Sequence, residues 1–172
     1  MPLNLRIIIP LILIGIAAYL SVFTVKQWEQ ALVFKFREIV RSDDQPGLHF
    51  MVPIVNAAKK FEKRLLNLDQ EPQRFLTIEK KDVIVDYYAK WRITDIDKFY
   101  TATRGDVLYA NGLLGQRINR ALRDEFGART VQEVVAGERT QILSVVTAST
   151  SNLPQELGIT VVDVRTKRID LP

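Results

Sequence analysis

Hydrophobic positions along this chain follow three rhythms. The first is an unbroken run from Ile7 to Val25, IIIPLILIGIAAYLSVFTV, with no ionisable side chain except Tyr19 and with Arg6 and Lys26 at its ends. About nineteen such residues rise roughly 28 Å as a helix, close to the ~30 Å hydrocarbon thickness of a bilayer. In lipid a lone span satisfies its backbone only as a helix. Pro10 falls in the first turn, where a missing N–H costs little. The run predicts a membrane anchor over 7–25, with Ile7, Leu11, Ile14, Leu20, Phe23 and Val25 among its residues. Two other readings compete. A soluble core helix would carry a polar stripe, which this run lacks. A cleaved signal peptide would have only Arg6 as its basic start and Ala17-Ala18-Tyr19-Leu20 as a poor cleavage site. The run also ends on Lys26 and Trp28, a pair suited to a membrane interface.

The second rhythm is alternation. Gln30–Val40 places Leu32, Phe34 and Phe36 on one face, which predicts a half-buried strand. Arg41–Gly47 has the composition of a turn, punctuated by Pro46-Gly47. Leu48–Val55 (LHFMVPIV) is short and apolar, and Pro53 makes it an edge strand or an extended loop. Its closeness in sequence to the anchor also allows Phe50, Met51, Val52 and Ile54 to dip into the headgroup region; the plainer reading places them in the domain core. Lys59–Asp69 and Arg74–Ile78 read as further strands, with a change of face between Leu65 and Leu66. Val83–Ile93 is the clearest strand. Val83, Val85, Tyr87, Ala89, Trp91 and Ile93 share one face, and Asp86, Tyr88, Lys90 and Arg92 share the other.

The third rhythm is helical. Asp95–Ala102 reads as a short helix capped by Thr94 or Asp95. Asp106–Phe126 puts Val107, Ala110, Leu114, Ile118 and Leu122 at spacings of three and four, with Gly127 as a stop. Thr130-Val131-Gln132-Glu133 has the form of a capping box. Glu138–Leu153 carries a weak apolar stripe and meets Pro154. Ile159–Ile169 returns to β-branched residues and a strand. Strands, then helices, then a closing strand predict an α+β domain: an antiparallel or mixed sheet with helices on one face. The chain divides into a tail at 1–6, the span at 7–25, a strand-rich part at 26–94 and a helix-rich part with its closing strand at 95–172.

Composition then narrows the chemistry. With 24 Lys and Arg against 20 Asp and Glu the formal charge is +4, but the signs are mixed and no basic block interleaves with aromatics, which argues against nucleic-acid binding. The absence of Cys excludes disulfides and thiolate metal sites. The single His, His49, follows a Pro-Gly turn in an apolar stretch, the setting of a structural side chain rather than a base. No HExxH, GxSxG, P-loop or dinucleotide motif occurs. Asp43/Asp44 and Asp95/Asp97 suit a turn and a helix cap better than a metal. No catalytic, cofactor-binding or metal-binding residue is expected. Asp86, Tyr88, Lys90 and Arg92 are either a solvated face or contacts to neighbouring subunits. Basic residues after the run (Lys26, Lys35, Arg37, Arg41) outnumber Arg6 before it, so a positive-inside count places the body in the cytoplasm.

The N-terminal span followed by PGLHFMVPIV (Pro46–Val55), EKKDVIVDYYAKWRITD (Glu79–Asp95) and LGITVVDVRTKRIDLP (Leu157–Pro172) resembles the SPFH (stomatin/prohibitin/flotillin, or band 7) family, over essentially the whole chain. The resemblance is nearest to its bacterial protease-regulating members. It implies an α+β SPFH domain behind a single transmembrane helix, with a membrane-proximal first subdomain, and no enzymatic activity. As partners it implies an HflK-like protein, an FtsH-like ATP-dependent protease and membrane lipids, in a hetero-oligomeric ring or cage that modulates proteolysis. It also implies the bacterial inner membrane, with a cytoplasmic N-terminus and a periplasmic body, against the charge count. Two alternatives stand beside this: a stomatin-like organiser of lipid domains without a protease partner, and a membrane-bound hydrolase. In the family the closing strand leads into a long Ala/Glu/Arg-rich helix forming the cage wall. The present sequence stops at Pro172, where that helix would begin, as expected of a fragment or of a short form.

Overall fold

The computed structural model describes residues 3–36, 38–43, 45–52, 55–136 and 139–170. Two compact units divide the chain between Lys63 and Arg64.

The first unit opens with helix α1 (Leu3–Leu20), followed by strands β1 (Val22–Val25), β2 (Glu29–Lys35), β3 (Glu38–Asp43), β4 (Gly47–Phe50) and β5 (Asn56–Glu62). The apolar run does not continue as helix to Val25. Ser21 closes α1 by donating to the Ala18 carbonyl, and Val22–Val25 forms a two-stranded antiparallel ribbon with β4, Val22 opposite Phe50 and Val25 opposite Gly47. Val-Phe-Thr-Val is a strand-forming tetrapeptide, and the distant β4 supplies the backbone partners that a continuing helix would have made internally. Phe23 and Val25, expected in the anchor, are therefore strand residues, and Val25 is buried. Among the described residues no helix is long and apolar enough to cross a membrane.

β2 lies at the centre of a second antiparallel sheet, β3-β2-β5. It is not half-buried as its alternation suggests, because Gln30 through Phe34 are all buried. Nor does it run on to Val40. The chain turns at Phe36, whose φ of 50° is left-handed, and returns as β3 through Arg41–Asp43, a stretch expected in a turn. Phe36 is thereby taken off the face it shares in sequence with Leu32 and Phe34 and stands exposed. Lys59–Asp69 is likewise not one strand. β5 ends at Glu62, the two units divide between Lys63 and Arg64, and Leu66 opens the next strand.

The second unit contains β6 (Leu66–Asp69), β7 (Gln73–Leu76), β8 (Asp82–Ile93), helices α2 (Ile96–Thr103), α3 (Val107–Gly127), α4 (Val131–Ala136), α5 (Arg139–Ser149) and α6 (Leu153–Glu156), and β9 (Ile159–Asp170). β8 is the spine: β6 and β7 pair with different stretches of one edge, and β9 pairs along the other. All these pairings are antiparallel. The inner face of β8 behaves as its alternation predicts, with Val83, Val85, Tyr87, Ala89, Trp91 and Ile93 all buried. Helix α3 packs on this face. Its Asn119 accepts from the Tyr87 hydroxyl at 2.9 Å and its Asn111 from the Trp91 indole at 2.9 Å, so both large polar aromatics enter the core with their donors satisfied. Asp95 caps α2 and Asp106 caps α3 through side-chain acceptance of backbone N–H groups. The capping box at α4 is closed, with Thr130 N–H donating to Glu133 at 2.8 Å.

Candidate membrane-facing and contact surfaces

The β1–β4 ribbon has two unlike faces, because side chains alternate across each strand. On one, the Phe23 ring stacks on His49 with centroids 5.6 Å apart, and His49 donates through Nε2 to the Gln45 carbonyl at 2.9 Å. On the other lie Val22, Thr24, Leu48 and Phe50, with Leu48 68% and Phe50 72% exposed. The ribbon joins α1 directly. Met51 N–H donates to the Ser21 carbonyl at 2.8 Å, so the exit of β4 is pinned to the foot of the helix. Two cations brace it from the neighbouring sheet: Arg41 donates to the Phe50 carbonyl at 3.2 Å, and Lys60 to the Thr24 carbonyl at 2.6 Å. Lys26 lies over the Trp28 ring at 5.4 Å, an amphipathic pair at the same foot.

Of the residues expected at the membrane, Phe50 and Val52 are exposed and Met51 is half-buried, while Ile54 lies outside the described residues. Leu11 and Leu20 project from α1 into the open; the side chains of Ile7 and Ile14 lie outside the described residues. Val22, inside the expected span, and Leu48, read only as part of the apolar stretch Leu48–Val55, share the exposed ribbon face with Phe50. The signal was present as the i, i+2 spacing of Leu48 and Phe50. Reading the segment as an interrupted apolar run hid it.

The open face of β8 is organised differently. Asp86, Tyr88, Lys90 and Arg92 share it, as their spacing requires, with Lys90 and Arg92 exposed and Asp86 and Tyr88 half-buried. Lys167 of β9 reaches across it to Asp69 of β6 at 2.6 Å and to Asp86 at 3.7 Å. The Lys167 ammonium is held above its ordinary pKa, mainly by the hydrogen bond to Asp69. Arg165 is similarly raised by its hydrogen bond to Asp163, with Tyr88 contributing. Lys167 escaped the sequence reading because a bulge in β9 opposite Asp86/Tyr87 sets its position, and only the fold reveals that bulge. Among the described residues no cluster of His, Asp and Glu could hold a metal ion.

Comparison with known proteins agrees with this architecture. Residues 23–172 match the model of the SPFH domain / Band 7 family. The chain is 38% identical to Protein HflC of Haemophilus influenzae, over 97% of this chain and 60% of that protein. It is 34% identical to the Modulator of FtsH protease HflC of Escherichia coli, over 94% of this chain and 62% of that protein. Protein HflC of Buchnera aphidicola is 38% identical over 88% of this chain and 56% of its own length. The chain thus spans about 60% of the length of the curated relatives it matches. With the match running from β1 through the closing strand β9, the chain belongs to the SPFH domain / Band 7 family.

Proposed function

We propose that this chain is a membrane-anchored, non-enzymatic scaffold that modulates an FtsH-like protease, assembling with an HflK-like protein into a ring or cage. The membrane part of this reading rests on the exposed apolar face of Val22, Leu48 and Phe50 at the foot of an apolar helix. The apolar part of α1, from Ile7 to Leu20, rises roughly 21 Å, about 9 Å less than a ~30 Å hydrocarbon core. A short span is accommodated by local thinning and by flanking residues at the interface, and the ribbon supplies an apolar surface at that level. Ile7, Leu11, Ile14 and Leu20 serve as anchor residues, and Phe50, Met51, Val52 and Ile54 lie against the bilayer. The protease part is supported by the similarity to relatives named as modulators of FtsH. The open face with Asp86, Tyr88, Lys90 and Arg92 serves as a subunit contact, and the body lies in the periplasm of a bacterial inner membrane.

The full-length chain solubilised in mild detergent is expected to run as a very large assembly that carries an HflK-like and an FtsH-like protein. Recovery only as a monomer without either partner overturns the reading. Lipid-dependent clustering that persists in cells lacking the protease points instead to an organiser of lipid domains. Because the sequence has no Cys, Glu71→Cys, at an exposed loop position off the proposed contact face, reports topology. A membrane-impermeant thiol reagent labels it once the outer membrane is opened if the body is periplasmic, and fails to reach it if the body is cytoplasmic.

A further inference from the structure

β9 is paired with β8 along one edge, and its other edge meets no strand among the described residues. A free edge carries a row of backbone donors and acceptors ready to pair with another chain. Helix α5 stands beside this edge. Between them runs an open groove of about 690 Å³, walled by Leu143, Ser144 and Thr147 on the helix and by Val162–Thr166 on the strand. The two hydroxyls on the helix wall donate within their own helix, Ser144 to the Gln141 carbonyl at 2.7 Å and Thr147 to the Leu143 carbonyl at 2.8 Å. That wall therefore presents no unmet donor to an incoming strand.

The strand wall is arranged about Val164. Val164 faces inward and is buried, while Asp163 and Arg165 on either side share the open face and pair with each other at 2.6 Å. Bulges interrupt the ladder on both sides, leaving Asp163–Thr166 as its regular stretch. We infer that this edge pairs antiparallel with the same edge of a second copy, about a two-fold axis at Val164. In that register Val164 faces the partner's Val164, Asp163 faces the partner's Arg165, and Arg165 faces the partner's Asp163. The two-fold makes both charge contacts at once, and opposite charges directly across neighbouring strands are favourable. Moving the axis by one residue sets Asp163 against the partner's Asp163, or Arg165 against the partner's Arg165. Like charges across strands are unfavourable, so the charge pattern selects the Val164 register. The contact is between copies of this chain and stands whether or not the protease reading holds.

The test uses the full-length chain in detergent and in native membranes under mild oxidation. Residues facing each other across an antiparallel pair lie roughly 4.5–5.5 Å apart at Cα, within the span a disulfide bridges. Val164→Cys is expected to give a disulfide-linked dimer of two copies. Arg168→Cys, more exposed but about 27 Å from its own counterpart at roughly 3.4 Å per residue, is expected to stay unlinked. In the Cys-free chain, Asp163→Arg and Arg165→Asp are each expected to weaken dimerisation about tenfold through two like-charge contacts. The double variant, which exchanges the two charges, is expected to restore it. Failure of Val164→Cys to link in the folded chain, equal linkage at Arg168→Cys, linkage to a different protein, or a double variant as weak as the singles overturns the inference.

Discussion

Gly158 sits against Asp95 so closely that no side chain fits between them. The carbonyl of Gly158 accepts from the N–H groups of Thr94 and Asp95 at 2.9 and 3.0 Å, which clamps the start of α2 to the start of β9. Its φ of +66° is left-handed, and an added Cβ would collide with the Asp95 carbonyl oxygen and stand 2.8 Å from the Phe99 nitrogen. Both obstacles are backbone, so neither can swing aside. Gly158→Ala is expected to destabilise the second unit by about 3 kcal/mol or more. The midpoint of chemical unfolding of the full-length chain, followed at the buried Trp91, measures it.

Tyr87 makes stability depend on alkaline pH. Its hydroxyl is desolvated by burial, which raises its pKa well above the usual ~10. A folded-state pKa above the unfolded one means that this stabilisation is complete below about pH 10 and is lost as pH rises from there towards the folded-state value. Tyr87→Phe is expected to cost about 1 kcal/mol near neutrality by leaving Asn119 without its donor, and to flatten the decline in stability above about pH 10. Thermal melts across that range, compared with the parent chain, separate the two effects.

Lys167 of β9 holds two carboxylates, Asp86 on the adjacent strand and Asp69 one strand further. Removing it leaves the exposed Asp69 and the half-buried Asp86 without the cation they share. Lys167→Met is expected to lower the unfolding midpoint at neutral pH. Adding Asp86→Asn to that variant is expected to recover part of the loss, which a double-mutant cycle reads directly.

The ribbon makes a periodic prediction. Single Cys residues at Leu48, His49 and Phe50, each carrying an environment-sensitive fluorophore, are expected to give apolar emission at 48 and 50 and polar emission at 49 when the chain is in a bilayer. Uniform polar emission at all three would place the ribbon in water, away from the membrane.

Where local chemistry and burial agreed, the sequence was a sufficient guide. Strict alternation made β8 a strand and named its buried face, because one face of a central strand has to meet the helix layer. Asp95 and the Thr130–Glu133 pair marked helix starts, because the orphan N–H groups of a first turn need an acceptor supplied within a few residues. The compact units divide between Lys63 and Arg64, and β8 belongs to the same unit as the helices.

What the sequence by itself determined was the α+β content, the caps, the β8 spine and the apolar character of Ile7–Val25. Each of these depends on residues within a turn or a strand of one another. Only the tertiary structure decided that the apolar run stops being helix at Leu20, that Phe36 leaves the core at a hairpin tip, and that Lys167 bridges Asp69 and Asp86. Those outcomes turn on partners far away in the chain: β4 for β1, β3 for the end of β2, and β8 for the bulge in β9 that carries Lys167. A strand's hydrogen bonds are made by another segment, so the choice between helix and strand, and the direction of each exposed side chain, is settled where the chain returns to meet itself.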